Sequence, residues 1–435
     1  MRFIKYFLII FLISCQFEKY EDSEQTIIEG ECIDGQSIFS IDGEDVTFQC
    51  NDYDLLGYVS LNEMNAERGN DCWGWTDPLT AKEYALMGLD NGTAIVDITD
   101  PYNPDYLGKI PTSTVSSSWR DVKVFNDHAF IVSEAENHGM QVFDLKKLRN
   151  EITSSDFQTD FLYSGYGHSH NIAINTETGI AYTLGSGRSR SPVGIHALDI
   201  NSPLSPILLT EYPDFGYTHD AQIVNYDGPD QDHIGKEIYV GSNQDRIVIV
   251  DVSNKSNPTL IGTYFYDHQY THQAWLTEDH RYLLLGDELD EINDSGNLNK
   301  TRTIIINLDD LDEPKSHFDY ISDTAAIDHN GYVVGTKYYL ASYTSGLRVI
   351  DLLNIDQKIV REVGYFDTYP DDTQDHGVPA SVVRSSDPDD NHDGKKGAGN
   401  SFFKGAWSVY PFFQSKNIVI SDINRGLFIV RKSGN

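Results

Sequence analysis

A short motif recurs along this chain, and it limits the available folds more than any other feature. Each copy opens at a turn, runs through an apolar strand and ends in Asp, often with Pro soon after. The copies are Gly92–Asp97, Gly139–Asp144, Gly194–Asp199, Arg246–Asp251, Thr301–Asn307, Gly346–Asp351 and Gly426–Val430, seven in all. From Gly92 to Gly139 is 47 residues and from Gly139 to Gly194 is 55, slightly above the ~40–50 of common four-stranded blades. A strand precedes the core, as in Glu83–Met87, Ala129–Ser133, Glu237–Gly241 and Tyr282–Gly286. Another follows a Pro-containing turn, as in Tyr106–Ile110 and Leu260–Tyr264, and a further strand opening on His, Arg or Trp stands ahead of them all. Four short strands per repeat, with turn chemistry between them, predict a propeller blade. The expected fold is all-β: a seven-bladed β-propeller of four-stranded antiparallel blades.

Ring closure is legible as well. The last repeat stops after its third strand at Val430, whereas Leu56–Val59 carries the fourth-strand pattern and stands before the first complete repeat. The N-terminal strand is therefore expected to complete the last blade, which removes free sheet edges. Two separate sandwiches would leave both the repeat and this fragment unexplained. The single propeller domain is expected over 54–435, with an acidic insertion at 371–400.

The first residues read as a targeting segment. Arg2 and Lys5 are basic, and Tyr6–Ile13 is an apolar run about half the ~20 residues a membrane helix needs. Leu12-Ile13-Ser14-Cys15 has the form of a bacterial lipobox, so residues 1–15 are expected to be a lipoprotein signal with Cys15 as the lipidated residue. An ordinary secretory signal that discards Cys15 is the alternative. Glu18–Asp22 resembles the surface-export signal of Bacteroidetes lipoproteins, which predicts an outer-membrane or cell-surface protein. No later stretch is apolar enough to span a membrane, so membrane attachment is expected only through the lipid.

Residues 16–53 are expected to form a tether and a small disulfide-linked segment. Cys32 and Cys50 flank a turn-rich stretch of 18 residues, and an exported context permits their bond. Closing such a loop is worth ~3 kcal/mol in the chain-entropy description. Cys72 is expected to be a free, buried small hydrophobe. The net charge is −35, from 32 Lys and Arg against 67 Asp and Glu. A surface this acidic repels phosphate backbones and argues against nucleic acid as partner.

With these features in place the chain resembles the choice-of-anchor B proteins, whose repeats belong to the LVIVD class. The matching stretches are Cys72–Trp75, Ser117–Asp121, Ser133–Glu136, His138–Asp144, His170–Ile174, Thr218–Asp220, Thr271–Gln273 and Gly286–Glu291. The pair Cys32 and Cys50, followed by Asp54–Leu56, fits too. The resemblance implies an exported propeller with interchangeable anchors, and it brings no reaction.

Strand parity locates a candidate site. Blade strands alternate in direction outward from the axis, so the start of the first strand, the loop between second and third strands, and the link to the next blade share one face, here termed upper. First strands open on Arg120-Asp121, His170-Asn171, His219-Asp220, His272-Gln273 and His329-Asn330, and the other two open near Trp73 and near Ala406-Trp407. Four of the seven blades thus set a histidine at one equivalent position beside the channel. Loops of the same face bring Glu134, Glu136 and His138, and Asp287, Glu288, Asp290 and Glu291. Neutral imidazole with carboxylate suits Zn, Mn, Fe or Ni. Arg120 suits an anionic ligand instead, because it keeps its proton. The competing reading is structural: polar residues at a channel mouth can simply hold the blades in register.

Within the insertion, Asp387, Asp389, Asn391 and Asp393 place oxygen side chains at alternate positions before Gly394, the start of a Ca²⁺ loop, although Asn400 stands where a bidentate Glu would close it. A solvated acidic loop is the alternative there. Gly185-Ser-Gly187 with Arg188 and Arg190 reads as an exposed loop that could meet an anion. No Gly-x-Ser-x-Gly elbow and no phosphate-cradling glycine loop is present. Two functions follow. One is a surface binding module for a protein, glycan or small ligand. The other is a metal-dependent hydrolase or lyase that uses the histidines with Glu288 or Glu134 as base.

Overall fold

The computed structural model describes residues 29–150, 156–187, 194–293, 300–369 and 403–434. Seven antiparallel sheets follow one another. Blades 1 to 6 run over 69–111, 120–163, 171–212, 220–264, 271–321 and 331–366. Blade 7 takes its first three strands from 406–432 and its fourth from Tyr53–Ser60, which pairs with Gly426–Lys432. The propeller and its closure by an N-terminal strand are therefore as the repeat predicts.

The recurring motif is the third strand of each blade, and its terminal Asp has a physical role. Asp97, Asp144, Asp199, Asp251 and Asp351 each accept, through Oδ1, the amide N–H two residues further on, and Asn307 does the same. This Asx turn ends the strand and starts the loop to the fourth. The second and third strands are inaccessible on both faces, as in Glu83–Leu89. They are near-continuously apolar because each face packs on a different neighbour: Leu86 and Ile95 turn to blade 2, while Ala85, Met87, Ala94 and Val96 turn to blade 7. Seven such inter-blade cores close the ring. Gly57 and Gly262 occupy the fourth strands of blades 7 and 4. A Cβ there would stand 2.2 Å from the Pro101 carbonyl oxygen or 2.0 Å from that of Leu311, so only glycine admits the next blade's loop.

One feature lies beyond what the sequence predicts. The N-terminal segment is a hairpin, Gln36–Ile41 with Glu44–Asn51, whose second strand pairs Cys50 with Phe366 and Asn51 with Tyr365. Blade 6 is thereby widened to six strands. Cys32 and Cys50 are bonded, and Cys72 is free and buried. Among the described residues no helix is long and apolar enough to cross a membrane.

Candidate functional site: a histidine arc at the channel mouth

The four equivalent histidines meet one another at the upper end of the channel. His170 and His219 have ring centroids 4.0 Å apart, His219 and His272 4.4 Å, and His272 and His329 4.2 Å. Trp407 of blade 7 extends the arc, 4.6 Å from His329. All four imidazoles are almost sealed from solvent, between 2% and 8% exposed. The geometry follows from the fold: each ring starts the innermost strand of its blade, and adjacent blades bring equivalent positions together.

Hydrogen bonds orient the rings. His219 Nδ1 donates to the His272 carbonyl at 3.1 Å, and His329 Nδ1 donates to the Trp407 carbonyl at 2.6 Å. A carbonyl only accepts, so in both rings the proton sits on Nδ1 and Nε2 carries the lone pair. His272 Nδ1 is buried without a hydrogen-bond partner. Burial pushes His219 and His272 well below the usual imidazole range and His329 down to about 4. These rings are neutral at physiological pH.

Of the predicted loop carboxylates, Glu134 and Glu288 reach the arc. Glu134 Oε1 lies 2.8 Å from His170 Nδ1. Glu288 lies 3.8 Å from His272 Nε2 through Oε2 and 3.7 Å from His329 Nε2 through Oε1, and it accepts the Tyr343 hydroxyl at 2.8 Å. Asp287 and Arg120, also expected at the site, are engaged elsewhere. Asp287 accepts the amides of Gln269 and Tyr270 and so fixes the turn leading into blade 5. Arg120 donates to the Leu89 carbonyl of blade 1 and to His138 Nε2 at 2.9 Å, which staples blades 1 and 2 and takes the guanidinium away from the rings.

At three of these positions the following residue ties adjacent blades together, with Asn330 of blade 6 donating to Ser408 of blade 7. Asp121 of blade 2 accepts the Ile172 amide of blade 3, and Gln273 of blade 5 accepts the Gly331 amide of blade 6. In the channel, Lys123 Nζ stands 2.5 Å from Asp121 and 3.5 Å from Asp71, over the Trp73 ring at 4.7 Å. Burial, with Asp71 nearby, raises Asp121 well above the carboxylate range and carries Asp220 to about 6. Sequence reasoning missed this network and Tyr343; the acidic second residue of Arg120-Asp121 and His219-Asp220 was its only visible trace.

A second grouping, Asp230, His233 and Asp312, joins the loop between the first and second strands of blade 4 to the loop between the third and fourth strands of blade 5, on the face opposite the arc. Its Asp312 is largely exposed, and His233 Nε2 pairs with it at 2.9 Å. Cys15, Glu18–Asp22, Arg188, Arg190 and the calcium-loop residues Asp387, Asp389, Asn391 and Asp393 lie outside the described residues.

Comparison with known proteins agrees with the repeat. No curated protein matches the chain. A crystal structure titled as that of a functionally unknown protein from Desulfotomaculum acetoxidans DSM 771 is similar at 13% identity, over 69% of this chain and 85% of that one, with a TM-score of 0.46. Residues 234–265, which carry the second, third and fourth strands of blade 4, match the LVIVD repeat.

Proposed function

We propose that this chain is an exported, lipid-anchored binding module of the choice-of-anchor B type, whose upper face engages a protein, glycan or small ligand. The burial of the histidine arc carries this reading. A hydrolase or lyase needs its base open to substrate, whereas Glu288 is 7% exposed and holds the Tyr343 hydroxyl, and Glu134 is engaged with His170. A closed propeller with seven packed inter-blade cores suits a rigid platform, and LVIVD propellers fit an interaction role. The bonded Cys32–Cys50 pair fits an oxidising compartment, consistent with the signal and lipobox ending at Cys15.

The test places a photo-crosslinking side chain at Glu136, exposed on the upper face, or at Tyr102, exposed in a loop of the opposite face, in the full-length protein on cells. The reading expects a discrete, saturable crosslink from position 136 alone. Equal labelling from both positions would remove the upper face as the binding surface. Labelling with radioactive palmitate, abolished by Cys15→Ala, checks the anchor in the same cells.

A further inference from the structure

We infer that His272, Glu288 and His329 form a binding site for one divalent transition-metal ion, Zn²⁺-like in its ligand preference, at the closed end of the histidine arc. The inference goes beyond the binding-module reading and does not depend on it.

Three observations carry it. The first is proximity: one ligand atom from each of the three residues lies within 4.8 Å of the other two, and all three residues are buried. Glu288 to His272 is 3.8 Å and to His329 3.7 Å. Those two distances run to Oε2 and Oε1 respectively, and all three ligand atoms lie within 4.8 Å of one another, so closing on an ion with ligands about 3.4 Å apart takes side-chain adjustment of up to ~1 Å.

The second is tautomer. The Trp407 carbonyl fixes the His329 proton on Nδ1, and this leaves a lone pair on Nε2, which lies 3.7 Å from Glu288 Oε1. Two lone-pair-bearing atoms side by side in a buried space repel, and a cation between them, a proton or a metal ion, removes that repulsion. The backbone bond to the far ring nitrogen is also the outer support that metal-ligating histidines use.

The third is unmet polarity. His272 Nδ1 is buried without a partner beside this group, in a residue only 2% exposed. Hydrogen-bonding groups sealed from water are nearly always satisfied, and this orphan nitrogen means that no bond at Nδ1 fixes the tautomer of the ring, so its Nε2 is able to present a lone pair. Tyr343 completes the arrangement by donating to Glu288 Oε1, as an outer-shell residue does for a ligating carboxylate. Two imidazoles and one carboxylate form a ligand set used by zinc, with one position left open.

The test uses the full chain, stripped with a chelator and titrated with Co²⁺ and Zn²⁺. One equivalent is expected, with visible Co²⁺ absorption of a low-coordinate nitrogen–oxygen site that Zn²⁺ displaces. Glu288→Gln and the double variant His272→Gln, His329→Gln should abolish the band. Tyr343→Phe should weaken binding by about 10- to 100-fold. His233→Gln, at the exposed grouping, should change nothing. Failure of the parent protein to take up an equivalent overturns the site, as does a full equivalent retained by Glu288→Gln. Should circular dichroism show that the ligand variants do not fold, Tyr343→Phe decides: unchanged affinity in that folded variant also overturns it.

Discussion

Tyr58 donates its hydroxyl to the Arg425 carbonyl at 2.7 Å, across 367 residues of sequence. The contact lies in the strand pair that closes the ring, so both chain ends contribute to one blade. Beside it, Gly57 touches the loop of blade 1, where a Cβ would meet the Pro101 carbonyl. Gly57→Val should therefore cost about 1–3 kcal/mol by overpacking against backbone. Tyr58→Phe should cost only about 1 kcal/mol, the net worth of one hydrogen bond. Urea unfolding of the two variants checks the order; equal losses would mean that the closing strand is not held by this close approach.

The hairpin on blade 6 is held covalently at Cys32 and Cys50 and through the buried side chain of Phe48. Cys32→Ser should lower stability by ~3 kcal/mol, the loop-closure value. In the parent protein, with Cys32 and Cys50 bonded, Cys72 should stay unlabelled by maleimide until unfolding, since it is buried and burial raises that thiol to about 12. Rapid labelling of Cys72 in the native state would contradict the packing of blade 1 against blade 7.

Lys123 is a cation set among the buried Asp71, Asp121 and Asp220. Removing it as Lys123→Met leaves buried carboxylates uncompensated, and such losses cost about 3–5 kcal/mol. The double variant with Asp121→Asn should recover part of that loss. Chemical denaturation of the two variants reads the difference, and an additive result would show that the pair is not coupled.

His138 gives a pH signature with a defined sign. Its Nε2 accepts from Arg120, and burial followed by the Arg120 charge pushes its pKa down to about 3. The unfolded chain takes up this proton first, near pH 6.5. The stability it contributes is complete above that value and is lost as pH falls toward 3, at about 1.4 kcal/mol per unit. His138→Gln keeps an acceptor for Arg120 without the titration. The stability gap between parent and variant should narrow by that slope between pH 6.5 and 4.5; a constant gap would assign the acid sensitivity to other groups.

The fold was legible because the chain repeats itself. An Asp at the end of five third-strand motifs and a two-faced apolar run repeated in all seven are local signals, and their recurrence makes them unmistakable. The closing strand at Leu56–Val59 carried the same local pattern and could be placed. The hairpin at 36–51 could not, because its pairing with Tyr365 and Phe366 depends on where the ring brings blade 6, and no local pattern encodes that. In the site, the histidines were visible for the reason the blades were: equivalent positions converge on one axis. Arg120 sits at the same position, yet its longer side chain finds the Leu89 carbonyl and His138 between blades, which spacing alone does not reveal. Asp287 and Glu288 are adjacent in sequence but point to different tasks, one to a turn and one to the arc. Lys123 and Tyr343 belong to single blades, so no repetition marked them.

The most direct test of the shared channel-mouth centre is an anomalous difference map from crystals of the protein grown with Zn²⁺ and measured at the zinc edge. The account predicts a strong peak bounded by His272 Nε2, Glu288 and His329 Nε2. Anomalous density confined to Asp230, His233 and Asp312, with none at the arc, would contradict it.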